Sequence, residues 1–208
     1  MKINYVQLAS HHFKAIIALG NEVHGENYLD MLQMQDLYDR SWANQVNASW
    51  VAFVADADIL GTKLVSSKQT SDGYIVGFRL TIAAGNWTPD KWCTPDAWEC
   101  LPINACYFKS ITVDSAVRGN GVASSLLRMS IESAKKQNTV AGVAHIWMQS
   151  PGNAAFKYFT ACGGKMVKKH PNKWQINSIE DGYECNICND ICVCTAGEMI
   201  LHFEPTKP

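Results

Sequence analysis

Apolar and polar positions change period several times along the 208-residue chain. Residues 3–9 (INYVQLA) alternate, which predicts a first strand. From residue 10 to 28 the spacing is helical, with Phe13, Ile16, Ile17, Leu19 and Val23 on one side and Ser10 as the N-cap. A second helical stretch runs over about 29–45, through Leu29, Leu32, Met34, Leu37 and Trp42. Residues 50–55 (WVAFVA) and 74–84 (YIVGFRLTIAA) read as strands. Between them, 57–72 reads as an inserted excursion ending in the turn Ser71-Asp72-Gly73. After a long irregular segment come a strand at 105–114, an amphipathic helix at about 121–137 and a strand at 142–149. A helix at about 152–161 and strands at 164–169 and 198–204 follow. The order β-α-α-β-β-β-α-β-α-β-β predicts one α/β domain over residues 1–208. Its central sheet is expected to be mixed, mostly antiparallel and flanked by helices.

The irregular segment, GNWTPDKWCTPDAWECLPIN at 85–104, holds Trp87, Trp92, Trp98 and three prolines. Two readings stay open: the tryptophans pin the loop to the body, or they form a lid or a wall of an acceptor pocket. Composition narrows the rest. Basic and acidic side chains number 18 and 19, a formal charge of −1, which argues against nucleic acid as partner. No apolar run approaches the roughly 20 residues that span a bilayer. The N-terminus reads as lacking an export signal, so a cytoplasmic setting is expected.

Chemistry concentrates at Val113-Asp114-Ser115-Ala116-Val117-Arg118-Gly119-Asn120-Gly121-Val122-Ala123. A buried strand runs into a two-glycine turn and directly into a helix. The first turn of a helix leaves backbone N–H groups without partners, and with the positive end of the helix dipole these bind anions. Gly119 and Gly121 are expected to let the main chain approach a diphosphate where a Cβ would collide. Arg118 adds a cation. No Gly-Lys-Ser/Thr follows, so this is not a P-loop.

This segment resembles the acyl-CoA-binding motif (Q/R-x-x-G-x-G/A) of the GNAT superfamily of N-acetyltransferases. The order of elements matches that superfamily, and IVGFRLTI at 75–82 looks like its third strand. The run from Pro151 through Phe159, with Gly163-Gly164 after it, is similar to the family's second motif (N-x-x-A-x-x-F-Y-x-x-x-G). In that register Phe159 holds the tyrosine slot and Tyr158 lies one position earlier. The asparagine slot falls on Gly152, with Asn153 beside it. A one-residue displacement turns a helical side chain by about 100°, so Tyr158 serves as the family's general acid only if the helix is re-registered. The other reading is a packing tyrosine.

The resemblance implies acetyl-CoA as cosubstrate, held by Ile111, Thr112, Val113, Arg118 to Ala123 and Asn153. It implies a bulge in the 105–114 strand that aims a backbone N–H of Ile111 to Val113 at the thioester carbonyl. An amine attacks directly in a ternary complex. The general base is expected among Glu22 and His24 of the 22–26 cluster and His145, whose other reading is a satisfied core histidine.

The spacing Cys185-x-x-Cys188-x-x-x-Cys192-x-Cys194 suits a structural Zn²⁺ knuckle within an insertion at about 178–197. Disulfides, free thiols and an iron site stay open beside it. The knuckle is expected to shape access for the acceptor. Cys93, Cys100, Cys106 and Cys162 read as small buried hydrophobes. The acceptor is a small-molecule or protein amine, and a homodimer stays open. Two further readings are carried: a CoA-binding or docking module without activity, and an acyltransferase acting on nucleobases.

Overall fold

A computed structural model describes residues 2–55 and 66–204. The alternating N-terminal segment forms β1 (Asn4–Gln7). A 3-10 turn over Ser10–His12 leads into α1 (Phe13–His24). The expected cap at Ser10 is not used. Instead Nδ1 of buried His12 accepts the Ala9 N–H at 3.0 Å. α2 (Met31–Arg40) starts at Asp30, whose carboxylate accepts the Gln33 N–H at 2.8 Å. It ends at Arg40 rather than running on to residue 45. Asn44 and Gln45 both take positive φ, 50° and 60°, so the chain doubles back as the small hairpin β2 (Trp42–Ala43) and β3 (Val46–Asn47).

β4 (Trp50–Val54), β5 (Gln69–Thr70) and β6 (Gly73–Ile82) follow. Residues 57–65 of the expected excursion lie outside the described residues. Then come β7 (Ala105–Val113), α3 (Val122–Lys136), β8 (Ala141–Trp147) and α4 (Ala154–Ala161). β9 (Lys165–His170), α5 (Gln175–Glu180) and β10 (Ala196–His202) complete the described chain. α4 starts two residues later than its spacing suggests, because Gly152 and Asn153 take φ of 63° and 55°. α5 goes unannounced because a six-residue helix is too short to show a period.

The main sheet has the order β1-β4-β6-β7-β8-β10-β9, with β5 on β6. Its pairings are antiparallel except that of β7 with β8, which is parallel. That pairing is short. Ala105, Cys106 and Tyr107 face Ala141, Gly142 and Val143, and beyond them the two strands no longer pair with each other. The sheet therefore opens at their C-terminal ends, where ligands bind in open α/β sheets. α1 and α2 cover one face of the first half of the sheet. α3 packs on the other face, and the cluster around Phe108 and Phe159 seats α3 and α4 there.

The β6–β7 register slips between Leu80 and Thr81, leaving Lys109 as the extra residue. The irregularity thus falls at Lys109, two residues before the expected Ile111 to Val113. It changes which side chains share a face. Cys106 and Phe108 pack with α3 and α4, and Ile111 and Val113 pack beside α3. Tyr107, Ser110 and Thr112 meet the α1–α2 side, Ser110 and Thr112 through Tyr28 and His24.

Candidate active site

A cavity of about 980 Å³ fills the opening between β7 and β8. It runs from Gly119 and Gly121, past α4, to the turn between α1 and α2 and to the Trp-rich loop.

At its first end lies the two-glycine turn. Gly119 and Gly121 have φ of 81° and 72°. A Cβ on either would meet nothing within 4 Å. The glycines are therefore needed for the left-handed backbone itself, and not for clearance from the protein. The consequence is electrostatic. Ser125 N–H bonds to Gly121 C=O at 3.0 Å and opens the helical ladder. Among the described residues, the N–H groups of Gly119 through Ser124 meet no acceptor. A row of free amides sits at the positive end of the 15-residue α3. Arg118 Nε donates to Val113 C=O at 3.1 Å and braces the turn. Ile111, Thr112, Val113, Arg118, Val122 and Ala123 line the cavity with the two glycines. Asn120 does not line it, since its amide folds back to donate to Val117 and Arg118 carbonyls. Asn153 also stays off the cavity and serves the left-handed start of α4.

Midway along, Tyr158 of α4 lines the cavity while Phe159 is fully buried in the core. The late start of α4 sets this orientation. Tyr158 Oη accepts a hydrogen bond from Nη1 of Arg79 at 3.2 Å. Arg79, on β6, is 1% exposed, and its guanidinium lies 4.3 Å from the centroid of the Phe108 ring. Burial pushes the Tyr158 hydroxyl up to about 12, with Arg79 pulling the other way.

The far end is aromatic. His24 Nε2 lies 2.8 Å from Thr112 Oγ1, and its ring stacks on Tyr28 at 4.3 Å. Burial lowers its pKa to about 4, so the imidazole is neutral at physiological pH. Tyr28 donates to Ser110 Oγ at 2.7 Å. His145 Nε2 lies 2.7 Å from the Trp92 carbonyl, and Nδ1 lies 2.9 Å from Tyr107 Oη. A carbonyl only accepts, so Nε2 carries the proton and Nδ1 accepts from Tyr107. Both nitrogens of His145 are thereby engaged, and burial lowers its pKa to about 4. Glu22 does not line the cavity. Its carboxylate pairs at 2.7 Å with Lys68, which also holds Asp114 at 2.8 Å.

The Trp-rich loop is pinned to the body at one point and borders the cavity at another. Trp98 is fully buried, and its Nε1 donates to Glu198 at 2.8 Å. Glu198 is itself fully buried on β10 and also accepts from Thr94 N–H, Thr94 Oγ1 and His170. Burial opposes its charge, but these hydrogen bonds outweigh burial and hold the carboxyl below the ordinary glutamate value. Trp87 and Trp92, by contrast, line the cavity. So do Lys109 and Lys173, for which no ion pair forms among the described residues. Partial burial lowers the pKa of Lys173.

The four clustered cysteines converge, with all sulfurs within 4.8 Å of one another. Cys185 and Cys188 lie 3.8 and 3.6 Å from Cys194, too far for disulfides, and all four are free. A tetrahedron of 2.3 Å Zn–S bonds has S···S edges of about 3.8 Å, so the donor set fits a zinc ion. Cys185, Cys192 and Cys194 are buried against Trp147, Trp174 and Tyr183, which themselves line the cavity. The cysteine-bearing segment is stitched to the turn after α1. Tyr183 Oη donates to His24 C=O, Glu184 N–H to Glu26 C=O, and Asn27 Nδ2 to Gly182 C=O. Of the four other cysteines, Cys106 is fully buried, while Cys93, Cys100 and Cys162 are half-buried.

Sequence reasoning missed Arg79, Tyr28, Lys109 and Lys173. Arg79 had a signal: it is the one charge inside the apolar run IVGFRLTI. Lys109 had none, because a bulge decides its direction.

No protein-family model matches the sequence, and no curated protein matches it. Solved structures do. One, of the NatC complex bound to Gag peptide and CoA, superposes with a TM-score of 0.64 at 14% identity, covering 98% of this chain and 100% of that one. The ribosomal-protein-S18-alanine N-acetyltransferase from Escherichia coli gives 0.61 at 11% identity, covering 99% and 97%. An acetyltransferase of the GNAT family from Streptococcus pneumoniae gives 0.61 at 12% identity, covering 98% and 100%. The sheet that opens between β7 and β8, with a glycine turn at its mouth, is thus the fold of the GNAT N-acetyltransferases.

Proposed function

We propose that the protein is an acyl-CoA-dependent N-acetyltransferase that moves an acetyl group from acetyl-CoA to an amine. The observation that carries the reading is the row of unbonded N–H groups from Gly119 to Ser124, at the mouth of a cavity large enough for a cofactor and an acceptor together. Those amides suit the diphosphate of CoA. The acyl chain then extends along the edge of β7 that β8 leaves free, and the amine enters between the α1–α2 turn and the Trp-rich loop. Attack is direct, within a ternary complex. His24 is the best-placed base, being neutral and half-buried with Nδ1 uncommitted among the described residues. His145 positions Tyr107 and the Trp92 backbone instead. Tyr158 is the candidate acid for the leaving thiolate.

The acceptor end carries Lys109 and Lys173 without ion pairs, which suits an amine that also bears a carboxylate or phosphate. Cys185, Cys188, Cys192 and Cys194 would hold a zinc ion. With no open coordination position, that ion supplies only rigidity, bracing the turn that presents His24 and Tyr28.

The test is thiol release from acetyl-CoA over a panel of neutral and anionic amines. Release that depends on the amine supports the reading. Tight CoA binding without turnover on any amine would replace it with a binding module.

A further inference from the structure

Arg79 is an anomaly that the transferase reading leaves unused. It stands on β6 in the middle of the sheet, 1% exposed, and its Nε and Nη2 have no hydrogen-bond partner among the described residues. A buried cation is costly unless paired. Yet the guanidinium is given only the phenol of Tyr158, the face of Phe108 and the side chains of Cys106 and Cys162 nearby. Burial pushes the Cys106 thiol up to about 12, so it offers no counter-charge.

The geometry of the Tyr158 contact supplies the reason. Nη1–H donates to Oη. The phenol's own hydrogen must then point away from the guanidinium, and it finds no acceptor among the described residues. Arg79 therefore forces Tyr158 to be a donor, and Tyr158 lines the cavity.

We propose that Arg79 is a positioning residue for thiolate departure: it aims the Tyr158 hydroxyl into the cleft and becomes ion-paired only when that hydroxyl gives up its proton. The inference rests on the transferase reading. In the step, the amine nitrogen bonds to the thioester carbon and the C–S bond breaks, its electron pair going to sulfur. The Tyr158 proton moves to that sulfur, giving free CoA. The phenolate left behind is held by Nη1 of Arg79, and the ammonium proton of the product passes through His24 or water to solvent. Tyr158 regains a proton from water. A cation unpaired in the ground state and paired as the barrier is crossed is stabilised where catalysis benefits.

Two measurements test this, on the full chain. The first needs no turnover. Affinities for CoA and for desulfo-CoA are compared from pH 7 to 9.5 in the wild type, Arg79→Met, Arg79→Lys and Tyr158→Phe. The groups facing the site are Tyr158, Cys106, Cys162 and Arg79 itself, and the ratio to desulfo-CoA removes every pH effect that the two ligands share. The wild type should favour CoA over desulfo-CoA by about five- to sevenfold more at pH 9.5 than at pH 7, as expected for a thiol whose ionisation is eased by about one unit. Arg79→Met and Tyr158→Phe should show a flat ratio, and Arg79→Lys an intermediate one. The second measurement is turnover. Arg79→Met and Tyr158→Phe should each lower kcat by about 10- to 100-fold with little change in KM, and the double variant should be no worse than either alone.

A flat ratio in the wild type, or additive losses in the double variant, overturns the role of Arg79 while leaving CoA binding intact. If neither ligand binds the folded wild type, the transferase reading falls and this inference with it. Loss of folding in Arg79→Met alone is controlled by Arg79→Lys, which keeps the cation.

Discussion

Replacing Glu198 with alanine probes the tie between the Trp-rich loop and the sheet. The carboxylate is fully buried and accepts four hydrogen bonds, from Thr94 N–H, Thr94 Oγ1, Trp98 Nε1 and His170. Removing one partner of a buried charged network costs about 3–5 kcal/mol. A domain of this length loses roughly 2–4 °C of melting midpoint per kcal/mol, so Glu198→Ala should melt about 6–20 °C lower. Glu198→Gln keeps an acceptor for Trp98 and should fall between the two. Trp98 sits at 0% exposure, so its fluorescence should shift to the red as the loop loosens. The pH dependence has a definite sign. The folded-state pKa of Glu198 lies below the ordinary value, so its contribution is complete above about pH 4.3, the unfolded value. It disappears as pH falls through the folded-state value, and the variant should lack that part of the acid limb. Calorimetric scans from pH 3 to 7 measure both effects. A midpoint within about 2 °C of wild type for Glu198→Ala, less than 1 kcal/mol by the same scaling, refutes the argument.

Gly121→Ala tests the amide row. Its Cβ meets no atom, so the cost is the left-handed backbone, about 1–2 kcal/mol. The turn should relax, and CoA affinity measured calorimetrically should fall about tenfold or more for each 1.4 kcal/mol lost; unchanged affinity counts against the diphosphate site. Protein purified without added metal should carry about one zinc per chain, and Cys194→Ser should carry almost none. Less than about half an equivalent by elemental analysis defeats the knuckle. Lys109→Met should narrow the preference for anionic over neutral amines by about tenfold, the loss of one charge-assisted contact. Equal kcat/KM losses for both amine types would show that Lys109 does not read the acceptor's charge.

Much of this was legible from the chain. The two-glycine turn stands out because positive φ and a helix start leave a trace in residue types. The four cysteines do too, because four thiols within ten residues are conspicuous in any chain. What escaped did so for physical reasons. The end of α2 depends on Asn44 and Gln45 adopting left-handed backbone, which neither residue announces. The bulge at Lys109 is a property of the β6–β7 pair and not of either strand. The orientation of Tyr158 follows from two residues before its helix, Gly152 and Asn153, and not from the motif that contains it. His145 and Glu22 look alike as candidate bases in sequence. Only tertiary partners, Tyr107 and the Trp92 carbonyl for one and Lys68 for the other, commit both elsewhere.

The brevity of the β7–β8 pairing has a mechanical meaning. Three residue pairs join the two halves of the sheet, like the pivot of a clothes-peg. Trp87 bonds to the Ala105 carbonyl on one half, while Trp98 and Thr94 bond to Glu198 on the other. The loop is the spring across that pivot. A small rotation there would be magnified at the jaws, so a substitution at Trp98, which lies off the cavity, should alter how tightly the far mouth grips without touching anything held in it.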